Sequence, residues 1–277
     1  MISARTSRLF QAALVCALIL ARPLPAQAAA PDQASQAAEL AKKLANPVAA
    51  LISVPVQFNA DYGFGPTGDG TRYLTNIQPV VPLELNAEWN LISRTILPVI
   101  SQHDVFGTSS QSGIGDVLQS AFFSPKAPTA GGVIWGVGPV LLLPTASDDL
   151  LGGGKWAAGP TALALVQDSG WTYGVLANQL WSFAGDSSRS SINALYLQPF
   201  LSYGGISPGF TLGGSFESTY DWRANQWTIP FIANASQILK VQGQLISVGL
   251  GAKVYLDKPA NGPDWGLRFT VAFLFPK

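Results

Sequence analysis

Trp265-Gly-Leu-Arg-Phe-Thr-Val-Ala-Phe-Leu-Phe275 places a large apolar residue at every second position. A period of two predicts a β-strand with one apolar face and one tolerant face. Aromatic residues at both ends of the apolar face, and Arg268 on the other, indicate that lipid covers the apolar side. Because the same pattern recurs along most of the chain, the sequence predicts an all-β, transmembrane, outer-membrane β-barrel.

Residues 1–30 are typical of an export signal peptide. Arg5 and Arg8 form the positive start, residues 9–21 the apolar core, and small residues near position 30 the cleavage site. The apolar run is shorter than the roughly 20 residues that span a bilayer, which disfavours the alternative of an uncleaved anchor. Cys16 lies inside this core without the sequence around it that a lipoprotein requires. We therefore expect a cleaved signal and a protein in the cell outer membrane.

Composition leaves two classes of protein open. Only 12% of the residues are charged, about half the usual share of soluble domains, yet no long apolar helix follows the signal. The alternatives are a soluble periplasmic β-sandwich and a membrane barrel, and the 28 glycines and 8 tryptophans favour the barrel. Loss of Arg5, Arg8 and Arg22 leaves 13 of the 16 basic residues against 16 acidic ones, a net charge of −3, which argues against nucleic acid as a partner.

The mature chain divides into a short helix, 31–47, and a barrel, 48–277. Ser35 is a plausible N-cap of the helix, which we expect at the periplasmic mouth or inside the lumen, with a flexible leader as the alternative. We predict about twelve antiparallel strands in up-and-down order. Their expected spans are 50–62, 71–83, 88–100, 114–124, 132–143, 156–167, 171–183, 192–203, 210–221, 227–239, 244–256 and 265–276.

The connections and the aromatic residues agree on one topology. With a periplasmic amino end, the longest connections fall at the outer end, as in transmembrane barrels. The predicted outer aromatic belt is Tyr62, Tyr73, Trp156, Trp181, Tyr220, Trp222, Trp227 and Trp265, and the predicted inner belt is Trp89, Phe122, Phe123, Trp171, Phe210, Phe273 and Phe275. One group of residues counts against the strands, because proline removes a ladder donor: Pro55, Pro79, Pro98, Pro139, Pro160, Pro199 and Pro230.

Polar residues within the predicted strands should face the lumen. A lysine or arginine that faces lipid at mid-bilayer costs about 2–4 kcal/mol. The candidates for a solute path are Arg72, Arg94, Glu217, Asp221, Lys253, Arg268, Gln57, Asn59, Asn76 and Gln78, and Asp61, Asn90 and Asp116 are further lumen candidates. We expect passive passage of a small solute through a narrow polar lumen; the alternative is a closed structural barrel that its own salt bridges fill.

An enzyme is the less favoured alternative. His103 is the sole histidine, so a barrel hydrolase would have to combine it with Asp104, Asp148 or Asp149 in the loops, or with Ser101 in a phospholipase. Gly152-Gly-Gly-Lys155 lacks the full phosphate-loop pattern. We expect no enzyme, no catalytic residue, no cofactor and no metal.

Several motifs resemble a group of proteobacterial outer-membrane barrels. They are Leu40-Ala-Lys-Lys-Leu-Ala-Asn-Pro-Val-Ala-Ala-Leu-Ile-Ser-Val-Pro-Val-Gln-Phe-Asn59, Ser112-Gly-Ile-Gly-Asp116, Phe122-Phe-Ser-Pro-Lys126, Gly136-Val-Gly-Pro-Val140, Leu143-Pro-Thr-Ala-Ser-Asp-Asp149, Trp265-Gly-Leu-Arg-Phe269 and Phe273-Leu-Phe-Pro-Lys277. The group is described as transporter-like and related to barrels of the phenol-degradation (MetA) pathway; some members carry the misleading label neuromedin U. The resemblance implies a porin-like transport barrel but says little about substrate.

Three kinds of partner follow from this interpretation. Outer-membrane lipid would surround the barrel, and a small-molecule solute would cross it. Recognition by the barrel assembly machinery would depend on Phe273 and Phe275, because Pro276 and Lys277 replace the usual terminal aromatic residue. We expect a monomer.

Overall fold

The computed structural model describes residues 31–276, so the predicted signal peptide lies outside the described residues. It consists of one helix and twelve barrel strands, three of which are interrupted. These are α1 (Pro31–Leu44), β1 (Ile52–Phe64), β2 (Gly70–Ile77 and Val80–Glu84), β3 (Trp89–His103), β4 (Ser110–Ile114 and Val117–Pro125), β5 (Val133–Leu143), β6 (Lys155–Asp168), β7 (Trp171–Gly185), β8 (Asn193–Tyr203), β9 (Phe210–Phe216 and Ser218–Asp221), β10 (Gln226–Val241), β11 (Gln244–Asp257) and β12 (Trp265–Phe275).

The strands form a closed antiparallel ring. Each strand pairs with the next one along the chain, and the whole length of β12 pairs with β1, from Ile52 opposite Phe275 to Tyr62 opposite Trp265. A closed ring leaves no strand edge unpaired. The prediction of twelve up-and-down strands with a short amino-terminal helix is therefore confirmed.

The two faces of β12 differ as its sequence predicts. Leu267, Phe269 and Phe273 are exposed on the outside of the ring, whereas Ala272 and Leu274 are buried inside it. Strand residues alternate between faces, so Arg268 and Thr270 also face inward. The outside of the barrel is thus apolar along this strand.

Four of the seven strand prolines fall at interruptions of the strand ladder. Pro79 lies in the gap between the two segments of β2. Pro139 faces Pro160 across β5 and β6, and neither is part of the ladder on its other side, towards β4 or β7. Pro230 adjoins a register shift between β10 and β11. These interruptions explain how the barrel accommodates residues that lack an N–H group.

Helix α1 lies at the end of the barrel where the short turns are. Leu40 and Ala41 are buried and pack against Leu51, Ile238, Ala272 and Leu274, while Gln167 Nε2 donates to the Lys42 carbonyl at 2.8 Å. On the exposed side, the hydrogen bond and the charge of Lys43 lower the pKa of the Glu39 carboxyl. No helix among residues 31–276 is both long and apolar enough to cross a membrane.

The predicted N-cap was wrong. The helix begins at Pro31, so Ser35 lies within it instead of capping it. Proline is accommodated in the first turn because the N–H group it lacks has no partner there. The helix ends at Leu44, three residues before the predicted end at residue 47.

One residue of the predicted inner aromatic belt faces the other way. Phe122 is 1% exposed and packs inside the ring, whereas its neighbour Phe123 is 43% exposed on the outside. Adjacent strand residues point to opposite faces, so only one of the two can face lipid and belong to an aromatic belt. Phe122 is instead part of the interior core.

Alanine substitutions at Phe122 and Phe123 should distinguish the inward face of the strand from the outward face. We expect Phe122→Ala to lower the free energy of unfolding by about 3–5 kcal/mol, the usual cost of emptying a buried phenylalanine site. Phe123→Ala should cost clearly less, because it leaves no cavity. Urea titration of the protein in detergent micelles measures both values, and equal losses would contradict the assignment of faces.

Candidate functional site

The strand registers bring the predicted polar residues together inside the ring. Asp61 lies opposite Arg72 on β2, and Asn59 lies opposite Arg268 on β12. Gln57 lies opposite Asn76. Directly opposed residues share a face of the sheet, so these candidates face the lumen together with Arg268.

A forked ion pair crosses the lumen. The guanidinium of Arg268 donates from Nη1 and Nη2 to the two carboxylate oxygens of Glu217, at 2.7 and 2.8 Å. Its Nε donates to Asn59 Oδ1 at 2.7 Å. Since β10 and β11 separate β9 from β12, the pair links distant parts of the wall. Two parallel charge-assisted bonds fix both position and orientation.

A second ion pair is sealed from solvent. Lys253 Nζ lies 2.8 Å from Asp61 Oδ1, and the two side chains are 6% and 5% exposed. The Tyr255 hydroxyl donates to the same oxygen at 3.1 Å. The pair joins β11 to β1 past the intervening β12. Both ion pairs therefore hold the region where the barrel closes.

The remaining lumen arginines have amide partners. Arg94 Nη2 donates to Gln78 Oε1 at 2.9 Å, and Gln78 Nε2 donates to Gln57 Oε1 at 3.3 Å. Arg72 Nε donates to Gln102 Oε1 at 3.0 Å, and its guanidinium lies 4.7 Å from the centre of the Phe64 ring. Neither arginine forms an ion pair with another residue of the described chain.

Some candidates lie apart from this network. Asp221 is exposed at the end of β9, where its carboxylate accepts the backbone N–H groups of Arg223 and Ala224 at 2.8 and 3.3 Å. It therefore shapes a turn at the rim. Asp116 accepts the backbone N–H groups of Ala146 and Gly153 at 3.2 and 2.6 Å, which fastens a loop to the wall.

Sequence reasoning missed three residues of the network. Gln102 and Gln111 share a hydrogen bond of 2.9 Å, but they lie beyond the predicted ends of β3 and β4. Tyr255 stands on the predicted polar face of β11, and its hydroxyl was not counted as a lumen group. Counting tyrosine hydroxyls and extending the strand alternation by three residues would have found all three.

The lumen holds a cavity of about 350 Å³ beside helix α1. Its lining includes Arg94, Glu217 and Arg268 from the wall, together with residues from the end of the helix and from the segment that follows it. The inward positions Gly213 and Gly249 also line it. Because these positions carry no side chains, the wall there leaves space between the helix and the ion pairs.

The segment that follows the helix crosses the lumen. Val48 is buried in a cluster with Ile92, Phe122, Leu163, Leu165 and Leu176, from the wall formed by β3, β4, β6 and β7. Leu40 packs on the opposite side, against β10 and β12. Residues 40–51 therefore span the barrel and narrow it.

A loop covers the other end of the barrel. Within residues 144–154, the Leu150 carbonyl accepts a hydrogen bond from the lumen residue Gln102 at 3.4 Å. The Ser147 hydroxyl approaches the backbone of β4, where it accepts the Ile114 N–H at 3.1 Å. Arg189 donates to the Asp149 carbonyl at 2.6 Å. The loop is thus tied to the wall on two sides.

The geometry gives no support to a hydrolase. His103 Nδ1 lies 2.7 Å from Ser110 Oγ, and both residues are exposed on one hairpin. The Asp148 carboxylate accepts the Leu150 N–H at 2.8 Å, and no hydrogen bond or ion pair joins it to His103 within residues 31–276. The described chain also contains no group of three or more His, Cys, Asp or Glu residues that could hold a metal ion.

The fold and the site together define a closed twelve-stranded antiparallel barrel with a charged interior. No family model and no curated protein matches the sequence. Among solved structures, the barrel is similar to a crystallised outer-membrane channel from Pseudomonas putida F1. The two share 16% sequence identity over 82% of this chain and 96% of that chain, with a TM-score of 0.64.

A second solved structure is more distant. OprB from Pseudomonas putida, determined at low pH, has 9% identity over 84% of this chain and 95% of that chain, with a TM-score of 0.35, too low to inform the fold. The similarity to the Pseudomonas putida F1 channel supports the barrel architecture alone. The relationship to barrels of the phenol-degradation pathway stays a prediction.

Removal of one partner of the sealed pair should be costly. We expect Lys253→Met to lower the free energy of unfolding by about 3–5 kcal/mol, because it leaves the Asp61 carboxylate buried without its cation. The matched control is Lys126→Met, which breaks the exposed pair with Glu84 and should cost less than about 1 kcal/mol. Urea unfolding in micelles gives both numbers. Similar losses would contradict the sealed position of the Lys253–Asp61 pair inside the barrel.

Proposed function

We propose that this protein is an outer-membrane channel for passive passage of a small solute. The observation that carries the proposal is the polarity of the ring: charged and amide side chains face a lumen that contains a cavity of about 350 Å³, while large apolar residues cover the outside. In a soluble barrel this arrangement would be reversed.

Aromatic pairs on the outer surface support membrane insertion. The Tyr62 and Trp265 rings stack at 4.7 Å, and the Tyr220 and Trp227 rings lie 4.9 Å apart. Both pairs stand at the end of the barrel with the long loops, and Trp171 pairs with Tyr203 at 4.6 Å at the other end. Aromatic residues at two levels are typical of the two lipid–water interfaces.

The path we propose runs from the loop 144–154 to the helix. It passes the two ion pairs and Arg94, enters the cavity, and leaves beside residues 40–51 at the periplasmic end. Because the ion pairs and the Val48 cluster narrow this path, we expect small solutes and low conductance. The narrowing also supports the alternative of a closed structural barrel, so the experiment has to distinguish the two.

Conductance of the purified protein in a planar bilayer provides that test. We expect small, discrete current steps from the wild type, and steps several times larger after deletion of residues 31–47, because the deletion removes the helix and much of the segment that fills the lumen. Absence of current from both proteins would favour the closed barrel. Migration of folded and boiled samples on a denaturing gel checks that each variant is folded.

A point variant of the helix should act in the same direction. Leu40→Glu places a charge in the buried contact between helix and wall, so we expect the helix to detach and the current to rise. Glu39→Gln, at the exposed neighbouring position, is the matched control and should leave the current unchanged. An unchanged current in Leu40→Glu, with folding intact, would show that the docked helix does not limit passage.

The enzyme alternative predicts a different result. If the barrel hydrolysed peptide or ester bonds, His103→Ala would abolish that activity. We expect the wild type and this variant to be equally inactive on peptide and ester substrates, since the described residues supply no acidic partner for the imidazole. Hydrolysis by the wild type that the variant lacks would overturn this expectation.

A further inference from the structure

The charges along the middle of the lumen do not balance among the described residues. Two anions, Asp61 and Glu217, are each held by one cation, Lys253 and Arg268 respectively. Two further cations, Arg72 and Arg94, have no carboxylate partner within residues 31–276. The middle of the lumen therefore carries an excess of positive charge on two arginines.

Only one of these arginines lines the cavity. The guanidinium of Arg72 lies against the Phe64 ring and donates to Gln102, and it is not part of the cavity wall. Arg94 does line the cavity. Its one hydrogen bond within the described chain goes to the amide oxygen of Gln78. An amide is neutral, and a guanidinium has five N–H groups, so Arg94 retains both its charge and free donors.

The wall beside Arg94 is apolar. Val80 lies directly opposite Arg94 across β2 and β3, and Leu176 and Phe200 line the same cavity. Pockets for small organic molecules have volumes of about 300–1,000 Å³ and combine apolar walls with a few polar groups that fix orientation. The cavity of about 350 Å³ lies at the lower end of this volume range, and Val80, Leu176 and Phe200 supply the apolar part of its wall.

We propose that Arg94 forms a binding site for a small organic carboxylate. The guanidinium donates to the carboxylate in the fork geometry that matches two oxygens, and the apolar body of the ligand lies against Val80, Leu176 and Phe200. Gln78, which Gln57 holds in place, positions the guanidinium. The site indicates that the solute of the proposed channel is a small organic carboxylate. Its role in passage rests on the proposed channel function, whereas binding itself does not require conduction.

Equilibrium binding to the full-length protein in detergent tests the site. Benzoate is the probe, and benzamide, which has the same shape without the charge, is its control. By isothermal titration we expect the wild type to bind benzoate at least about tenfold more tightly than benzamide, the scale of a charge-assisted hydrogen bond. Arg94→Gln should remove this difference. Arg72→Gln, which changes the enclosed arginine, should retain it.

The two proposals fail in different ways. Equal binding of benzoate and benzamide by the wild type, or benzoate binding unchanged in Arg94→Gln, would overturn the carboxylate site while leaving the channel untouched. Absence of conductance with intact, Arg94-dependent benzoate binding would overturn the channel alone. Inorganic phosphate that competes with benzoate at equal concentration would overturn the role of the apolar wall, since phosphate makes no use of it.

Discussion

Pairing between the first and the last strand is the constraint on which the rest of the structure depends. β1 and β12 match residue for residue over eleven pairs, and this pairing alone turns a sheet into a ring. It also fixes which side chains face inward, because a slip by one residue exchanges the faces of a strand. Asn59 and Arg268 meet across this seam, as do Asp61 and Gly266. The register that closes the barrel is therefore the register that assembles its polar interior.

The interior ion pairs contribute more to the shape of the barrel wall than to the free energy of unfolding. A buried pair often contributes little, since the loss of hydration offsets the attraction between the charges. Here Lys253 reaches Asp61 past one intervening strand, and Arg268 reaches Glu217 past two. Such links hold the wall at a fixed width on the side where it closes. The opposite wall, where Val48 packs, is instead held by apolar contacts.

The strands were predictable because lipid and lumen impose opposite polarity on alternate residues. That signal identified all twelve strands and the inward orientation of Arg72, Arg94, Lys253 and Arg268. It weakened at the strand ends, where Gln102 and Gln111 continue the alternation beyond the expected boundaries. It also failed for Phe122, because a phenylalanine inside the lumen has the same sequence appearance as one in contact with lipid. What lies inside a barrel depends on packing across the ring, which a single strand does not encode.

The position of the segment between the helix and β1 could not be predicted for the same reason, since nothing in the local sequence indicates that Val48 enters the lumen. In that segment the backbone bonds are internal: Ala45 to Ala41, Asn46 to Lys43, and Ala49 to Asn46. Among the described residues, one hydrogen bond fastens the preceding helix to the wall, from the Gln167 side chain to the Lys42 carbonyl. The segment is joined to the ring covalently at β1 only. It can consequently withdraw along the barrel axis without breaking any bond between strands, so the bore can widen while the cylinder around it stays intact.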